Sequence, residues 1–361
     1  IAIETSMLEL RKMGYDVILL TSSSKGDLHQ YLESVGIRTQ SLNIRGNGLL
    51  NYLKQIILLI RFCRNNKINS VFSHLQPVNF VSIFAQYFIT ARVIIFRHHL
   101  QSVHQTNENI NVNANESLMD KIINRLAKII VVPSRGVYNG MLRYEKVNEN
   151  KLRIIPYIYD FSQYGKPDLA EVEKIKTQYP CKLRLLMVSR LIRLKRHHIV
   201  FPVIKELLLK GYDIKLLALD TGPEKENLDR YITENNLTAS IILLGYRTDF
   251  VNYMAACDML IQPSLTDASN SAAKEMSLFE KPIAASKNVG DYDDYIKDGE
   301  NSYLIPTTDS AEHLREIIVD AYNNPGKIKN MGKKLKEEVV SRFDARNAGE
   351  VLNLYKELLN N

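Results

Sequence analysis

Two successive alternations of apolar runs and helix-period stretches divide the chain. In the first half, strand-length apolar runs fall at Asp16 to Thr21, Ser70 to Phe72, Val93 to Phe96, Ile129 to Pro133 and Leu152 to Pro156, with amphipathic segments between them. Such runs separated by helices predict parallel strands joined by helical crossovers. A polar, charged stretch follows Tyr164 up to Tyr179. The rhythm then resumes at Leu183 to Val188, Ile214 to Leu219, Ile241 to Leu244, Met259 to Gln262, Pro282 to Ser286 and Tyr303 to Ile305. From Ser310 to Asn361 the pattern is helical, which predicts a finish to the second domain and a long terminal helix. The expected fold is α/β, with two Rossmann-like, doubly wound parallel sheets, the first over residues 1–165 and the second from 166. The helical pattern of Ile3, Leu8 and Leu10 opens the chain at once, so a first strand is expected to be missing ahead of Ile1.

Composition narrows the class. A chain of 361 residues, 45% hydrophobic and 24% charged, can build two separate cores. Cys63, Cys181 and Cys257 are widely spaced and odd in number, so neither a disulfide framework nor a zinc site is expected, and a reducing cytoplasm suits them. No apolar run approaches the roughly 20 residues of a membrane-spanning helix. Charge is uneven: residues 1–165 carry 19 Lys and Arg against 11 Asp and Glu, while the remainder is close to neutral. A basic first half suits lipid headgroups, a phosphate-bearing acceptor or nucleic acid, and equally a plain solvated surface. Its aromatics are not interleaved with its cations as in a nucleic-acid module, so no nucleic-acid partner is expected.

Two strand-to-helix turns in the second half carry chemistry. After the strand ending at Val188, the run Ser189-Arg190-Leu191-Ile192-Arg193-Leu194-Lys195-Arg196 places cations at the turn. Arg190 offers a planar fork and Lys195 a point charge, two ways of holding a diphosphate; a solvated basic turn reads the same. After Gln262, the stretch Asp267-Ala268-Ser269-Asn270-Ser271-Ala272-Ala273-Lys274-Glu275 sets two acids eight positions apart across a helix start. Amides of Asn270, Ser271 and Ala272 can meet a phosphate, and Glu275 can accept from ribose hydroxyls. The alternative is a mere N-cap at Ser269 or Asn270 and a surface acid at Glu275.

These runs resemble the family-four retaining glycosyltransferases of the GT-B class over nearly the whole chain. Ser189-Arg190-Leu191 with Lys195 resembles the G-R-L-x-x-x-K motif, Gly222-Pro223 the G-x-G-P turn, Asp267 to Glu275 the E-x-x-x-x-x-x-x-E signature, and Lys281 to Ser286 the K-P-V-I-A-S strand. The resemblance implies a GT-B fold with a cleft between its domains, a donor domain over 166–341, and a terminal helix over 342–361 that packs back on the first domain. It also implies that Arg190 and Lys195 hold the donor diphosphate, Asp267 contacts the transferred sugar, and Glu275 binds ribose. Ser269, Asn270, Ser271, Ala272 and Gly222 would line the donor. Departures are Asp for the first Glu, Ser189 for Gly, Ala268 to Asn270 for a Gly-containing turn, and Ser302 at a position where the family often has Gly.

In the first half, His74 and the Phe96-Arg97-His98-His99 run stand at strand ends and resemble the family's H-x-H and R-H-H segments. By that resemblance His98, ahead of His99, lines the sugar pocket, with His74, His99 and Ser134 on the acceptor side; satisfied loop histidines are the alternative. Ile155 to Asp160 resembles I-P-N-G-V-D, with Tyr157-Ile158 replacing Asn-Gly, so easy access to positive φ is lost. Leu49 to Lys67 reads as a strongly apolar helix with a basic end. It is either a core crossover or, with its basic domain, a seat on an anionic membrane.

The implied reaction moves a hexose from a nucleotide-diphosphate sugar, UDP- or GDP-linked, to a glycan or lipid-linked acceptor of cell-surface polysaccharide or glycolipid assembly, with retention. No cofactor and no metal are expected, because cations and helix amides replace the ion; Asp291-Tyr292-Asp293 reads as a helix-start acid pair. A cytoplasmic location, peripheral on the inner membrane face, follows from the same resemblance. The rival readings are a noncatalytic nucleotide-sugar or partner-binding homologue and a sugar-nucleotide epimerase.

Overall fold

The structure, a computed structural model, describes residues 2–44, 46, 48–98 and 114–360. The chain divides into two compact units, Ile1–Asp160 with Phe343–Asn361, and Phe161–Arg342.

The first unit runs α1 (Ala2–Lys12), β1 (Ile18–Thr21), α2 (Asp27–Ser34), β2 (Arg38–Ser41), α3 (Leu49–Asn65), β3 (Ser70–His74), α4 (Gln76–Ala85), β4 (Arg92–Phe96), α5 (Ala114–Leu126), β5 (Ile129–Val132), α6 (Arg135–Arg143) and β6 (Leu152–Ile154). β3, β4, β5 and β6 form a parallel sheet in chain order, and β1 pairs in parallel with β2. β2 is a strand that the apolar pattern does not announce. Its residues Arg38-Thr39-Gln40-Ser41 are polar and half-exposed, and pairing with β1 alone makes them extended.

The second unit runs α7 (Leu169–Gln178), β7 (Leu183–Val188), α8 (His197–Leu209), β8 (Ile214–Leu219), α9 (Lys225–Glu234), β9 (Ile241–Gly245), α10 (Phe250–Ala256), β10 (Met259–Gln262), α11 (Ser271–Ser277), β11 (Ile283–Ser286), α12 (Tyr292–Tyr295), β12 (Tyr303–Ile305), α13 (Ser310–Asn323) and α14 (Pro325–Phe343). Its six strands are ordered β12-β11-β10-β7-β8-β9, and every pairing is parallel. The central strands β7 and β10 are buried along almost their whole length, as their unbroken apolar sequences demand of a sheet covered on both faces. The one charge inside β7, Arg184, is buried, and its guanidinium donates to the carbonyls of Tyr179, Ala256 and Lys176. Ser302, where a Gly was noted as customary, is also buried, and its hydroxyl accepts from the amide of Ile283 at the start of β11.

The end of the chain differs from one long helix. α14 stops at Phe343, a short turn follows, and α15 (Gly349–Asn360) completes the first unit. Val351, Tyr355 and Leu358 of α15 share a core with Leu10, Ile94, Phe96 and Ile158. Burial of each such side chain contributes about 1.5–3 kcal/mol. Ile158 is fully buried there, and neither Tyr157 nor Ile158 needs positive φ, so this segment turns without the missing glycine.

Candidate active site

Strand order in the second unit reverses at β7, which has β8 on one side and β10 on the other. At such a reversal the crossovers leave in opposite directions, and a crevice opens beyond the carboxyl ends of the two strands. Gln262 at the end of β10 donates to the carbonyl of Val188 at 2.8 Å, and the Leu265 amide donates to the carbonyl of Leu194 at 2.9 Å. The two chemistry-bearing turns are therefore bonded to each other.

Arg190 stands exposed in the turn after β7, and among the described residues none bonds its guanidinium. Lys195 reaches across to Asp267, with Nζ 2.9 Å from Oδ2 and both side chains 16% exposed. Asp267 is held from its own turn as well: its Oδ2 accepts from Asn270 Nδ2 at 2.9 Å and its Oδ1 from the Ala268 amide at 3.0 Å. Gly222 belongs to this assembly by close approach rather than by φ. A Cβ there would lie 2.4 Å from the carbonyl oxygen of Leu191, whose amide in turn donates to Thr221. Gly290, at φ +58°, brings the turn before α12 against Asp267 and Ala268.

Asn270 caps α11, accepting from the Ala273 amide at 2.8 Å. Ser269 points inward: its hydroxyl donates to Asp291 at 2.6 Å and accepts from Lys274 at 2.9 Å. The side chains of Ser269 and Asn270 thus hold the turn together, while Ser271 is exposed and Ala272 buried at the helix start. Glu275 is buried, and that burial raises its carboxyl above the ordinary range; the Tyr164 hydroxyl and Lys274 pull the other way. Asp291 and Asp293 stand at the start of α12 as the sequence pattern suggested, and Asp291 is buried there and ion-paired to Lys274. Among the described residues no group of three or more His, Cys, Asp or Glu side chains is placed to hold a metal ion.

In the first unit, His74 at the end of β3 stacks on Phe96 and on His98, with its Nδ1 2.9 Å from His98 Nε2. Burial, with His98 beside it, lowers the His74 imidazole to about 3, so it is neutral at physiological pH. The other ring nitrogen of His98 meets the hydroxyl of Tyr157. Arg97, directly before His98, is instead 2% exposed and ion-paired to Asp120 and Glu145. Ser134 is fully buried, and its hydroxyl accepts from the Val137 amide as the N-cap of α6. His99 lies outside the described residues.

Comparison with known families places these turns. Residues 171–338 match the profile of the glycosyl transferases group 1, and residues 4–163 that of glycosyltransferase family 4. The chain belongs to the family-four glycosyltransferases of the GT-B fold. Within that family, the 4-alpha-N-acetylgalactosaminyltransferase acting on an N-acetylgalactosamine-N,N'-diacetylbacillosaminyl-diphospho-undecaprenol in Campylobacter jejuni is 27% identical over 59% of this chain and 56% of its own. The poly(ribitol-phosphate) alpha-N-acetylglucosaminyltransferase of Staphylococcus aureus is 21% identical over 68% of this chain and 50% of its own. The matches thus span about half the length of these curated relatives. HepE of Anabaena, solved with UDP and glucose, superposes with a TM-score of 0.79 at 18% identity, covering 99% of this chain and 95% of that one. Sucrose-phosphate synthase of Thermosynechococcus elongatus superposes at 0.80 and 18% identity, covering 97% and 90%.

Of the expected site residues, the structure gathers Arg190, Lys195, Gly222, Asp267, Ser269, Asn270, Ser271, Ala272 and Glu275 around one sheet reversal, and separately gathers His74 with His98. Sequence reasoning gave no site role to Lys274, Asp291 or Tyr157. A charged residue flanked by Ala272, Ala273 and Met276 was a signal for the first, since a lone cation in an apolar helix needs a buried partner.

Proposed function

We propose that this chain transfers a hexosyl unit from a nucleotide-diphosphate sugar to a glycan or lipid-linked acceptor in cell-surface polysaccharide or glycolipid assembly, with retention of anomeric configuration. The observation that carries the reading is an exposed Arg190 in the same turn as Lys195, which pairs with Asp267 at the β7/β10 reversal, with Glu275 about one turn into α11. Donor diphosphate bound there competes for Lys195 and releases Asp267 to accept from sugar hydroxyls, while Glu275 accepts from ribose. The acceptor oxygen attacks the anomeric carbon on the face from which the diphosphate departs, and the acceptor proton passes to a leaving phosphate oxygen. Arg190 and Lys195 stabilise the charge that develops on that leaving group, where donors count most. Because these two cations supply that charge, turnover is expected to persist in excess EDTA; its complete loss would establish a metal requirement.

The titles of related structures, which name UDP and UDP-glucose, support a uridine donor. Calorimetric titration with UDP, GDP and ADP, then with their glucose, galactose, N-acetylglucosamine and mannose conjugates, tests this. Selective binding of one nucleotide, abolished by Glu275→Ala, is the expected result; binding of none would move the chain to a noncatalytic role.

The acceptor reading extends to the first unit and to a peripheral place on the inner face of the cell membrane. α3 buries Gln55, Leu59, Phe62 and Cys63, yet Leu49, Leu50, Leu53 and Ile57 are exposed together with Lys54, Arg61 and Arg64. An apolar face flanked by cations suits an anionic bilayer surface. No helix among the described residues is long and apolar enough to cross a membrane. Co-sedimentation with liposomes that rises with anionic lipid content is expected, and indifference to that content would remove the membrane from the proposal.

A further inference from the structure

The donor-site turn has no glycine to shape it and no contact with solvent beneath it. Under it lies a buried charge pair that none of the expected site residues includes. Lys274 is 0% exposed, and its ammonium has three oxygens within reach: Asp291 Oδ2 at 2.7 Å, Ser269 Oγ at 2.9 Å and the Asn270 carbonyl at 3.2 Å. Three N–H donors meet three acceptors, and the ring of Tyr295 lies 5.2 Å from the ammonium. Asp291 closes the circuit by accepting from the Ser269 hydroxyl at 2.6 Å.

Two of the three acceptors belong to the turn itself. The backbone carbonyl of Asn270 is fixed by Lys274, the side chain of Asn270 donates to Asp267, and Asp267 pairs with Lys195. We infer that Lys274 and Asp291 are positioning residues that set the Asp267–Asn270 turn in the geometry that receives the donor. A buried ion pair is a poor device for stability, since a well-packed apolar pair of the same volume serves as well or better. Its distinguishing property is direction: a lysine holds a carbonyl and a hydroxyl at fixed places, which a methionine cannot. The ion pair thus does for this turn what a glycine-containing turn would otherwise do through backbone freedom.

This inference rests on the donor-site reading above, and the experiment separates the two. Lys274→Met alone strands a buried carboxylate and is expected to melt earlier and to bind UDP weakly, which by itself is ambiguous. The double variant K274M/D291L leaves no unpaired charge, so its melting temperature is expected near that of the unmodified chain. Its UDP affinity, by calorimetry, is expected to stay about tenfold or more weaker, because three hydrogen bonds to the turn are gone, two from Lys274 and one to Asp291. Recovery of affinity together with melting temperature would overturn the positioning role. Ser269→Ala keeps the ion pair and leaves one buried Lys274 N–H without its acceptor; about a threefold to tenfold weaker UDP affinity, with a smaller loss of melting temperature than in Lys274→Met, is expected, and unchanged affinity would count against the role. Arg190→Ala and Glu275→Gln in the same titration report on the donor site itself. If they lose affinity while K274M/D291L keeps it, the positioning inference falls alone. If UDP fails to bind the unmodified chain, or no variant changes its affinity, the uridine donor reading falls and takes the inference with it.

Discussion

Arg190 and Lys195 are five positions apart and have different surroundings: one is exposed, the other is already paired with Asp267. That difference assigns them different losses. Arg190→Ala removes the donor proposed for the leaving group and should lower kcat by about 10²–10³, or about 3–4 kcal/mol of transition-state stabilisation, in steady-state transfer; near-normal kinetics would end its proposed role. Glu275 has its carboxyl raised by burial, so its folded-state value exceeds the unfolded one. The associated stability is present at low pH, where the group is protonated, and is lost as pH rises through the raised value. Glu275→Gln should therefore melt higher than the parent at neutral pH, an advantage that fades in acid, while its UDP affinity falls; equal melting at neutral pH would show that burial of this carboxylate carries no cost. Ser134→Ala, by contrast, should cost about 1 kcal/mol of stability through the lost N-cap and leave acceptor kinetics unchanged.

Elements with unbroken apolar runs were legible before folding. β7, β8, β10 and β12 occur where their apolar runs predicted, because a strand buried on both faces admits almost no polar residue. β2 was not legible, since an edge strand of Arg, Thr, Gln and Ser owes its form to a partner 20 residues earlier. The turn at Gly222 is legible as a glycine but not as a contact; only the structure shows the Leu191 backbone against it. Gly222→Ala must push the Arg190 turn away from β8, so UDP affinity should fall more than tenfold with only a modest loss of melting temperature. A wild-type affinity would mean that the turn relaxes without consequence. In the first unit, Tyr355→Ala should cost about 3–5 kcal/mol in denaturant unfolding, because its ring fills a core against Phe72 and Phe96.

Across the molecule, basic charge is concentrated in the first 165 residues and the donor-type turns lie in the second unit. Charge and chemistry are thus carried by different units. Binding that depends on the basic surface should weaken steeply between low and physiological salt, where the screening length shortens to about 8 Å, whereas UDP binding among partly buried groups should respond far less. Calorimetry with UDP and sedimentation with anionic vesicles across one salt series would reveal equal sensitivities if this separation is wrong.

The order of apolar runs and the spacing of Arg190, Lys195, Asp267 and Glu275 were enough to specify two parallel-sheet units and a donor-type pair of turns. Periodicity and motif spacing are local properties of the chain and survive without knowledge of contacts. What only the folded chain decided were matters of distance between remote positions. Lys195 meets Asp267 across 72 residues, Asp291 meets Lys274 beneath the turn, α15 returns to the first unit, and Ser134 caps α6. A side chain's partner depends on which backbone the sheet brings beside it, and a polar residue reads the same in sequence whether that partner is solvent, substrate or a buried ion.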